Sequence, residues 1–370
     1  MRRLVARDSA EAHRVATPLE LLFDLSFVVA VAQAATSLHH AVSENHLGTG
    51  VLTYSMMFFA LWWPWVNFTW FASAYDNDDV FYRLTTMVQI GGVLLVAAGI
   101  PRVFDHHDFG LVVTGYVVIR MAMVVNWVRA AHGDPRHRAC ATRYAVGVGV
   151  LQALWVGWLF IPEGAQLPSF FAAVVVEMLL PVWAERPSTT SWHPHHVIER
   201  HGLFTLIVLG ESILAATIAF QKGADTGHNL ITLAIAALVI VCSLWWIYFE
   251  TPPRELATEN LGRAFVWGYG HYFILGSVAA VGAGLAASVD YDLHVSHAPG
   301  MVVASATTVP IAIYLLSVWF LQVCPRVRGL PVAVLPVGAV LVLGATFAPA
   351  PIHVAAGILV ILAVAVRLVR

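Results

Sequence analysis

The stretch His196–Ala219, HVIERHGLFTLIVLGESILAATIA, decides the class of fold. It is apolar and long enough to cross a bilayer as one helix, which takes about 20 residues. Yet it carries Glu199 and Arg200 near its start, and Glu211 in its apolar part, between a glycine and a serine. A charged side chain at the centre of a bilayer costs about 2.5–3.5 kcal/mol on insertion scales. Glu211 therefore needs either a partner or a function.

The first hydrophobic stretch has the same character. Thr17–Leu38, TPLELLFDLSFVVAVAQAATSL, is apolar but contains two acids, Glu20 and Asp24, four residues apart. Residues at this spacing share one face of a helix. We interpret this stretch and His196–Ala219 as counterparts in two halves of one membrane protein.

The composition supports a membrane protein over its whole length. Of the 370 residues, 59% are hydrophobic and only 11% are charged, whereas soluble domains contain about 25% charged residues. The chain is therefore predicted to be an all-α, polytopic integral membrane protein with the lipid bilayer as its surroundings. No basic stripe is present, so no nucleic acid is expected as a partner. The three cysteines form no CxxC pair and predict neither a disulfide framework nor a thiolate metal site.

Apolar windows separated by polar or Pro/Gly breaks predict about twelve transmembrane helices. The windows lie near 18–38, 49–72, 82–101, 109–129, 143–161, 167–184, 197–219, 229–250, 264–288, 299–323, 331–348 and 351–367. Only Ala348-Pro349-Ala350 separates the last two windows. They form either a tight hairpin or one interrupted span, which would make the count eleven.

The basic residues predict the orientation. With the N-terminus inside, nearly all arginines fall in inside loops, whereas only Arg102 and Lys222 fall outside and Arg120 lies within a span. Cytoplasmic loops carry such an excess of arginine and lysine. Both termini are therefore predicted to be cytoplasmic.

A shift of about 180 residues aligns several features of the chain. Glu20 falls on Glu199, Trp62-Trp63 on Trp245-Trp246, and the Asp79/Arg83 pair on Glu259/Arg263. These matches predict two parallel six-helix repeats, residues 1–184 and 197–370, joined by a cytoplasmic linker at 185–196. Transporters commonly place their substrate site between such repeats.

Three intramembrane carboxyls are candidates for proton or cation binding. Glu20 and Asp24 lie near the cytoplasmic end of the first helix, where an acid also complements the helix dipole. Two carboxylates on one face can share a proton. Glu211 lies deeper and needs a partner from another span, for which Arg120 is the most economical choice.

Other charges are expected to form supporting ion pairs. Asp79 and Arg83 are four residues apart at the start of the third span, which predicts a helix cap and an ion pair between them. Glu199 and Arg200 open the seventh span.

A metal site is the weaker interpretation of the histidines. His196 and Glu199 are spaced i, i+3, and imidazole with carboxylate suits zinc, iron or manganese. His271, in the ninth span, is a further candidate ligand. One such pair falls short of a di-metal bundle site, which needs two. No cofactor is expected, although metal and haem stay open. The chain contains no P-loop, GxGxxG, nucleophile elbow or HExxH motif.

Four segments resemble the bacterial low-temperature-requirement A (LtrA) family. They are TPLELLFDLSFVVAVAQ at 17–33, WFASAYDNDDVFYRL at 70–84, HVIERHGLFTLIVLGESIL at 196–214 and WWIYFE at 245–250. The resemblance implies a polytopic protein of the bacterial cytoplasmic (inner) membrane and no established substrate. It also favours the polar members of these motifs as functional residues: Glu20, Asp24, Asp79, Arg83, Glu199, Arg200 and Glu211.

Three functions are compatible with these features. The favoured one is a secondary transporter or proton- or cation-coupled permease for an unknown small solute or ion, with Glu20, Asp24 and Glu211 facing a shared cavity. The second is a membrane-embedded enzyme or cofactor protein in which His196, Glu199 and His271 converge. The third is a structural or sensory membrane protein whose buried charges only pair. Enzymatic activity is not favoured, and the oligomeric state stays open.

Overall fold

The computed structural model describes residues 3–8, 11, 14–226, 230–250, 261–326 and 329–368, and this part of the chain is helical without strands. The helices are α1 (Pro18–Ser43), α2 (Leu47–Tyr75), α3 (Val80–His106), α4 (Gly110–Gly133), α5 (Arg138–Trp158), α6 (Glu163–Ala184), α7 (Pro194–Thr226), α8 (Leu230–Glu250), α9 (Leu261–Asp292), α10 (Gly300–Val318), α11 (Val334–Ala345) and α12 (Pro351–Leu368). A π-helical turn, Trp319–Val323, extends α10, and a 3₁₀ turn, Leu330–Ala333, precedes α11. The prediction of an all-α membrane protein is confirmed.

Within the described residues, 10 helices are long and apolar enough to cross a membrane. The two predicted spans outside this set are α2 and α11. Although α2 has 29 residues, its tryptophans and tyrosines, which favour the membrane interface, lower its hydropathy. α11 has only 12 residues, about 18 Å of helix against a hydrocarbon core of about 30 Å. Spans at α2 and α11 therefore stay predictions.

The chain forms two compact units. Unit 1 comprises residues 1–30 and 60–200, and unit 2 comprises residues 31–59 and 201–370. The helices α1, α2 and α7 each contribute to both units. These units do not coincide with the predicted halves, 1–184 and 197–370, so the internal repeat with its linker at 185–196 stays a prediction.

Close backbone approach joins α3 to α4 in unit 1. A Cβ atom built on Gly92 would lie 2.8 Å from the carbonyl oxygen of Gly115, and one built on Gly99 would lie 2.9 Å from the backbone nitrogen of Val112. Small residues let membrane helices pack at such short range where no hydrophobic effect drives them together. The same helix α4 packs on α5, where the rings of Trp127 and Tyr144 stack with centroids 4.2 Å apart.

Unit 2 is built around α9, the most buried of the candidate spans. Its glycines lie against three other helices. A Cβ atom on Gly276 would lie 3.1 Å from Phe58 of α2, one on Gly282 would lie 3.1 Å from Ser212 of α7, and one on Gly284 would lie 2.4 Å from the carbonyl of Ala306 in α10. The glycine-rich sequence of α9 therefore fixes its central place in this unit.

Candidate functional site

The first helix begins with a capping box. The side chain of Glu20 accepts a hydrogen bond from the backbone N–H of Thr17 at 2.7 Å, and the Thr17 hydroxyl accepts one from the backbone N–H of Glu20 at 3.3 Å. This reciprocal arrangement satisfies two N–H groups that a helix N-terminus otherwise leaves open. The predicted position of Glu20 at the first turn is therefore tied to helix initiation.

The same glutamate belongs to a buried charge cluster in unit 1. Its Oε1 atom lies 3.0 Å from Nε2 of His196 and 3.0 Å from Nη1 of Arg200. Nη2 of Arg200 donates to Oδ1 of Asp24 at 2.5 Å, and the same oxygen accepts the indole N–H of Trp65 at 2.7 Å. The side chains of all four ionisable residues are 0% exposed. Burial on this scale is tolerated because each charge has an opposite partner.

The cluster contains more acids than fixed bases. Glu20 and Asp24 carry one more negative charge than Arg200 balances, and an arginine in a protein does not deprotonate. A neutral cluster therefore holds one further proton, on the imidazole of His196 or on one of the carboxyls. Arg14 and Asp76 also interact electrostatically with Glu20. One is a base and the other an acid, so they are opposite in charge.

The expected pair between Glu211 and Arg120 is wrong, because Arg120 has another partner. Its Nη2 atom donates to both carboxylate oxygens of Glu177, at 2.9 and 2.7 Å. The indole N–H groups of Trp63 and Trp155 donate to the same carboxylate at 2.8 and 3.0 Å. Glu177 lies on α6, in the same unit as Arg120 on α4, and these donors give both of its carboxylate oxygens hydrogen-bond partners.

The expected pair between Asp79 and Arg83 is also wrong, although the expected helix cap is present. Asp79 caps α3 by accepting the N–H of Tyr82 at 2.7 Å, and its other oxygen pairs with Arg129 at 2.6 Å. Burial acts to raise the pKa of Asp79, but these two bonds outweigh it and hold the pKa below its ordinary value. Arg83 turns instead to Asp78, at 2.5 Å.

Glu211 lies in unit 2, about 25 Å from the start of α7 at 1.5 Å per residue. Its partly exposed side chain lines a cavity of about 290 Å³ between α1, α7 and α9. Within the described residues, it makes no hydrogen bond or ion pair. The lining also contains His39, His40 and Asp290. Nε2 of His39 lies 2.6 Å from the carboxylate of Asp290.

The candidate metal ligands do not form a cluster in the described part of the chain, where no group of three or more His, Cys, Asp or Glu side chains could hold a metal ion. His196 binds Glu20. In unit 2, Nδ1 of His271 contacts the carbonyl of Trp267 at 2.8 Å and Nε2 contacts the Tyr248 hydroxyl at 3.0 Å, so both ring nitrogens are engaged. Glu199 is partly buried and contacts none of the other candidate ligands.

Sequence comparison identifies the family. The model of the bacterial low temperature requirement A protein (LtrA) matches residues 15–369. The chain belongs to the LtrA family. It is also similar to an uncharacterized protein, RA0937, of Rhizobium meliloti (strain 1021), with 26% identity over 74% of this chain and 70% of that protein.

Two of the four LtrA-like motifs contact each other in unit 1. The motif at 17–33 supplies Glu20 and Asp24 to the charge cluster, and the motif at 196–214 supplies His196 and Arg200. The motif at 70–84 supplies the cap of α3. The resemblance therefore selected side chains that contact each other, although it did not indicate which pairs form.

Three polar residues at these sites were not foreseen in their roles. None of Glu177, His39 and Asp290 is among the site residues predicted above. A usable signal existed for Glu177, since it is the one charged residue in the sixth predicted span, 167–184, and Arg120 lies in the middle of the fourth, 109–129. No comparable signal links His39 to Asp290, which are far apart in sequence.

Proposed function

We propose that this LtrA family protein is a secondary transporter of the bacterial inner membrane, coupled to a proton or another cation through Glu211. The observation that carries the proposal is the carboxyl of Glu211, which faces a cavity of about 290 Å³ and has no partner among the described residues. An ionisable group inside a membrane span is costly, and such groups mark ion or substrate pathways.

The surroundings of Glu211 suit reversible protonation. His39 and Asp290 line the same cavity and lie 2.6 Å apart, and chains of such His and Asp side chains form proton relays in pumps and transporters. The backbone beside Glu211 is held in place, because the hydroxyl of Ser212 donates to the carbonyl of Val278 at 3.1 Å. A carboxyl on a fixed helix with a free side chain can bind and release a cation without refolding.

Glu20 and Asp24 enter the proposal in a second role. The extra negative charge that they share beside Arg200 gives the cluster one exchangeable proton, with His196 as its other carrier. We propose that this proton sets the charge state of unit 1. The positive-inside distribution of arginines supports cytoplasmic termini, which would put this cluster near the cytoplasmic end of α1 and α7.

A structural or sensory role is the second candidate. It is favoured by unit 1, where Arg120 and Arg200 are fully buried and paired with carboxylates. A buried ion pair can favour one packing arrangement over others without taking part in ion transport. Because this candidate predicts no ion flux, one experiment separates the two functions.

The experiment is ion flux into liposomes that contain the purified protein and an internal pH-sensitive dye. Under an imposed proton or cation gradient, wild type is expected to change the internal pH, and Glu211→Gln is expected to lose at least 10-fold in rate. Glutamine keeps the shape and the hydrogen-bonding capacity of the side chain but cannot ionise.

Glu44→Gln is the matched control. Glu44 also belongs to unit 2, but it is exposed and pairs with His297 at 3.0 Å, so its loss is expected to leave the flux unchanged. Folding of each variant is checked by gel filtration and thermal unfolding. Wild-type flux in well-folded Glu211→Gln contradicts the role of Glu211, and no flux in any protein favours the structural role.

A further inference from the structure

The bundle α2–α6 of unit 1 contains a layer of buried polar groups that the Arg120–Glu177 pair does not use. Nε and Nη1 of Arg120, both amide atoms of Gln89 and Gln152, and the hydroxyl of Tyr116 make no hydrogen bond within the described residues. Arg120, Gln89 and Gln152 are at most 2% exposed. Native structures leave few buried polar atoms unsatisfied, and each one calls for an explanation such as an unseen water or ion.

Helix register brings Gln89 level with Arg120. Along the antiparallel pair α3 and α4, Thr85 donates to Asn126 at 3.1 Å, and Gly92 packs on Ile119. Gln89 lies between Thr85 and Gly92 on α3, so it faces the segment 119–126 of α4, which contains Arg120.

Gln152 of α5 lies at the same level of the bundle as Arg120. Between α4 and α5, the rings of Trp127 and Tyr144 stack, and those of Tyr116 and Trp155 approach to 6.4 Å. Gln152 lies one turn before Trp155, whose indole N–H binds Glu177. Arg120 is ten residues into α4, about 15 Å from its start, so the layer lies near mid-membrane.

The unused groups are mainly donors. Arginine and the amide nitrogens of glutamine only donate, whereas the amide oxygens and the Tyr116 hydroxyl are the available acceptors. Glu177, which could have taken these donors, already accepts from Arg120, Trp63 and Trp155. The layer therefore fits a small ligand whose atoms accept hydrogen bonds.

We propose that this layer, formed by Gln89, Tyr116, Arg120 and Gln152, is a binding site for a small monovalent anion. Nε and Nη1 of Arg120, which Glu177 does not engage, supply donors to the anion, and the amide nitrogens of Gln89 and Gln152 complete the shell. Arginine and lysine side chains also line the selective parts of anion-conducting pores. The site is distinct from the cavity at Glu211, and the proposal does not rest on proton-coupled transport.

Thermal unfolding of the purified protein in detergent tests the site, with nitrate as the probe. Gluconate, a much bulkier monovalent anion, replaces nitrate at equal ionic strength in the reference samples. Binding to the folded state raises Tm with ligand concentration, so wild type is expected to gain several degrees in nitrate over gluconate. Gln89→Leu/Gln152→Leu is expected to lose this gain, whereas the control Gln33→Leu, on α1, keeps it.

Two results would overturn the proposal. One is equal Tm of wild type in saturating nitrate and gluconate, which would mean that water alone satisfies the layer. The other is an undiminished gain in the double variant. Because that variant can fail to fold, bromide-soaked crystals of wild type give a second measurement: anomalous density within hydrogen-bond distance of Arg120 is expected, and its absence counts against the site.

Discussion

The Arg120–Glu177 pair shows how strongly one buried contact constrains unit 1. Arg120→Met leaves Glu177 charged and without its guanidinium in a 0% exposed position. We expect the free energy of unfolding to fall by about 3–5 kcal/mol, as when a buried ion pair loses one member. Denaturant unfolding in mixed micelles, followed by tryptophan fluorescence, measures this loss.

The double variant Arg120→Met/Glu177→Gln provides the control for that experiment. It removes both charges, and the single amide oxygen of the glutamine still accepts one of the two indole N–H groups, which bind different oxygens of Glu177 in the wild type. A large part of the lost stability should return. If the double variant is as unstable as Arg120→Met alone, the uncompensated charge is not the cause.

Sequence reasoning found the residues of the sites more readily than their partners. Glu20, Asp24 and Arg200 were selected because charges inside apolar stretches are costly, and they do contact each other. Arg120 was selected for the same reason but assigned to Glu211. Pairing depends on which helices are neighbours and on their register, and neither can be read from the composition of one span.

At the level of helices, the glycines of α9 decide how closely the neighbouring helices approach. A Cβ atom on Gly284 would lie 2.4 Å from the carbonyl oxygen of Ala306, whereas one on Gly268 would meet nothing within 4 Å. Gly284→Ala is therefore expected to lower the free energy of unfolding by about 1–3 kcal/mol through overpacking, and with it the thermal unfolding temperature. Gly268→Ala in the same helix should leave it unchanged or raise it. Equal effects of the two substitutions would contradict this packing.

The loop between α2 and α3 makes stability depend on pH. Burial, followed by the charge of Glu20, raises the pKa of Asp76 to about 6, from an ordinary value of 3.8. The folded protein then binds this proton more tightly than the unfolded chain, so the contribution of Asp76 to stability falls as the pH rises from about 4 to about 6. Asp76→Asn is expected to gain about 1–3 kcal/mol over wild type at pH 7 and little at pH 4.

Asp78→Asn is the control for the pH experiment, measured by denaturant unfolding at both pH values. The hydrogen bond with Arg83 lowers the pKa of Asp78, which is the opposite direction. Its substitution should give no gain at pH 7. A gain of the same size in both variants would mean that a general change in loop charge is responsible.

For the whole molecule, apolar length predicted most helices well, because about 20 apolar residues leave few alternatives to a membrane span. The predicted windows at 49–72 and 331–348 are also helical, as α2 and as α11 with its preceding 3₁₀ turn, but membrane crossing by these two segments stays a prediction. The two compact units divide α1, α2 and α7 between them. Such a division depends on contacts between segments that are distant in sequence. A search for repeats along the chain does not detect such contacts.

Glu20 has one consequence that reaches beyond either of its contacts. The same carboxylate closes the first turn of α1 on Thr17 and holds Arg200 and His196 of α7. Protonation of this carboxylate would weaken its hydrogen bond to Thr17 at the start of α1. It would at the same time weaken its contacts with His196 and Arg200 of α7. The start of α1 and the start of α7 therefore share one chemical state, so that fraying of the first and release of the second are thermodynamically linked through one side chain.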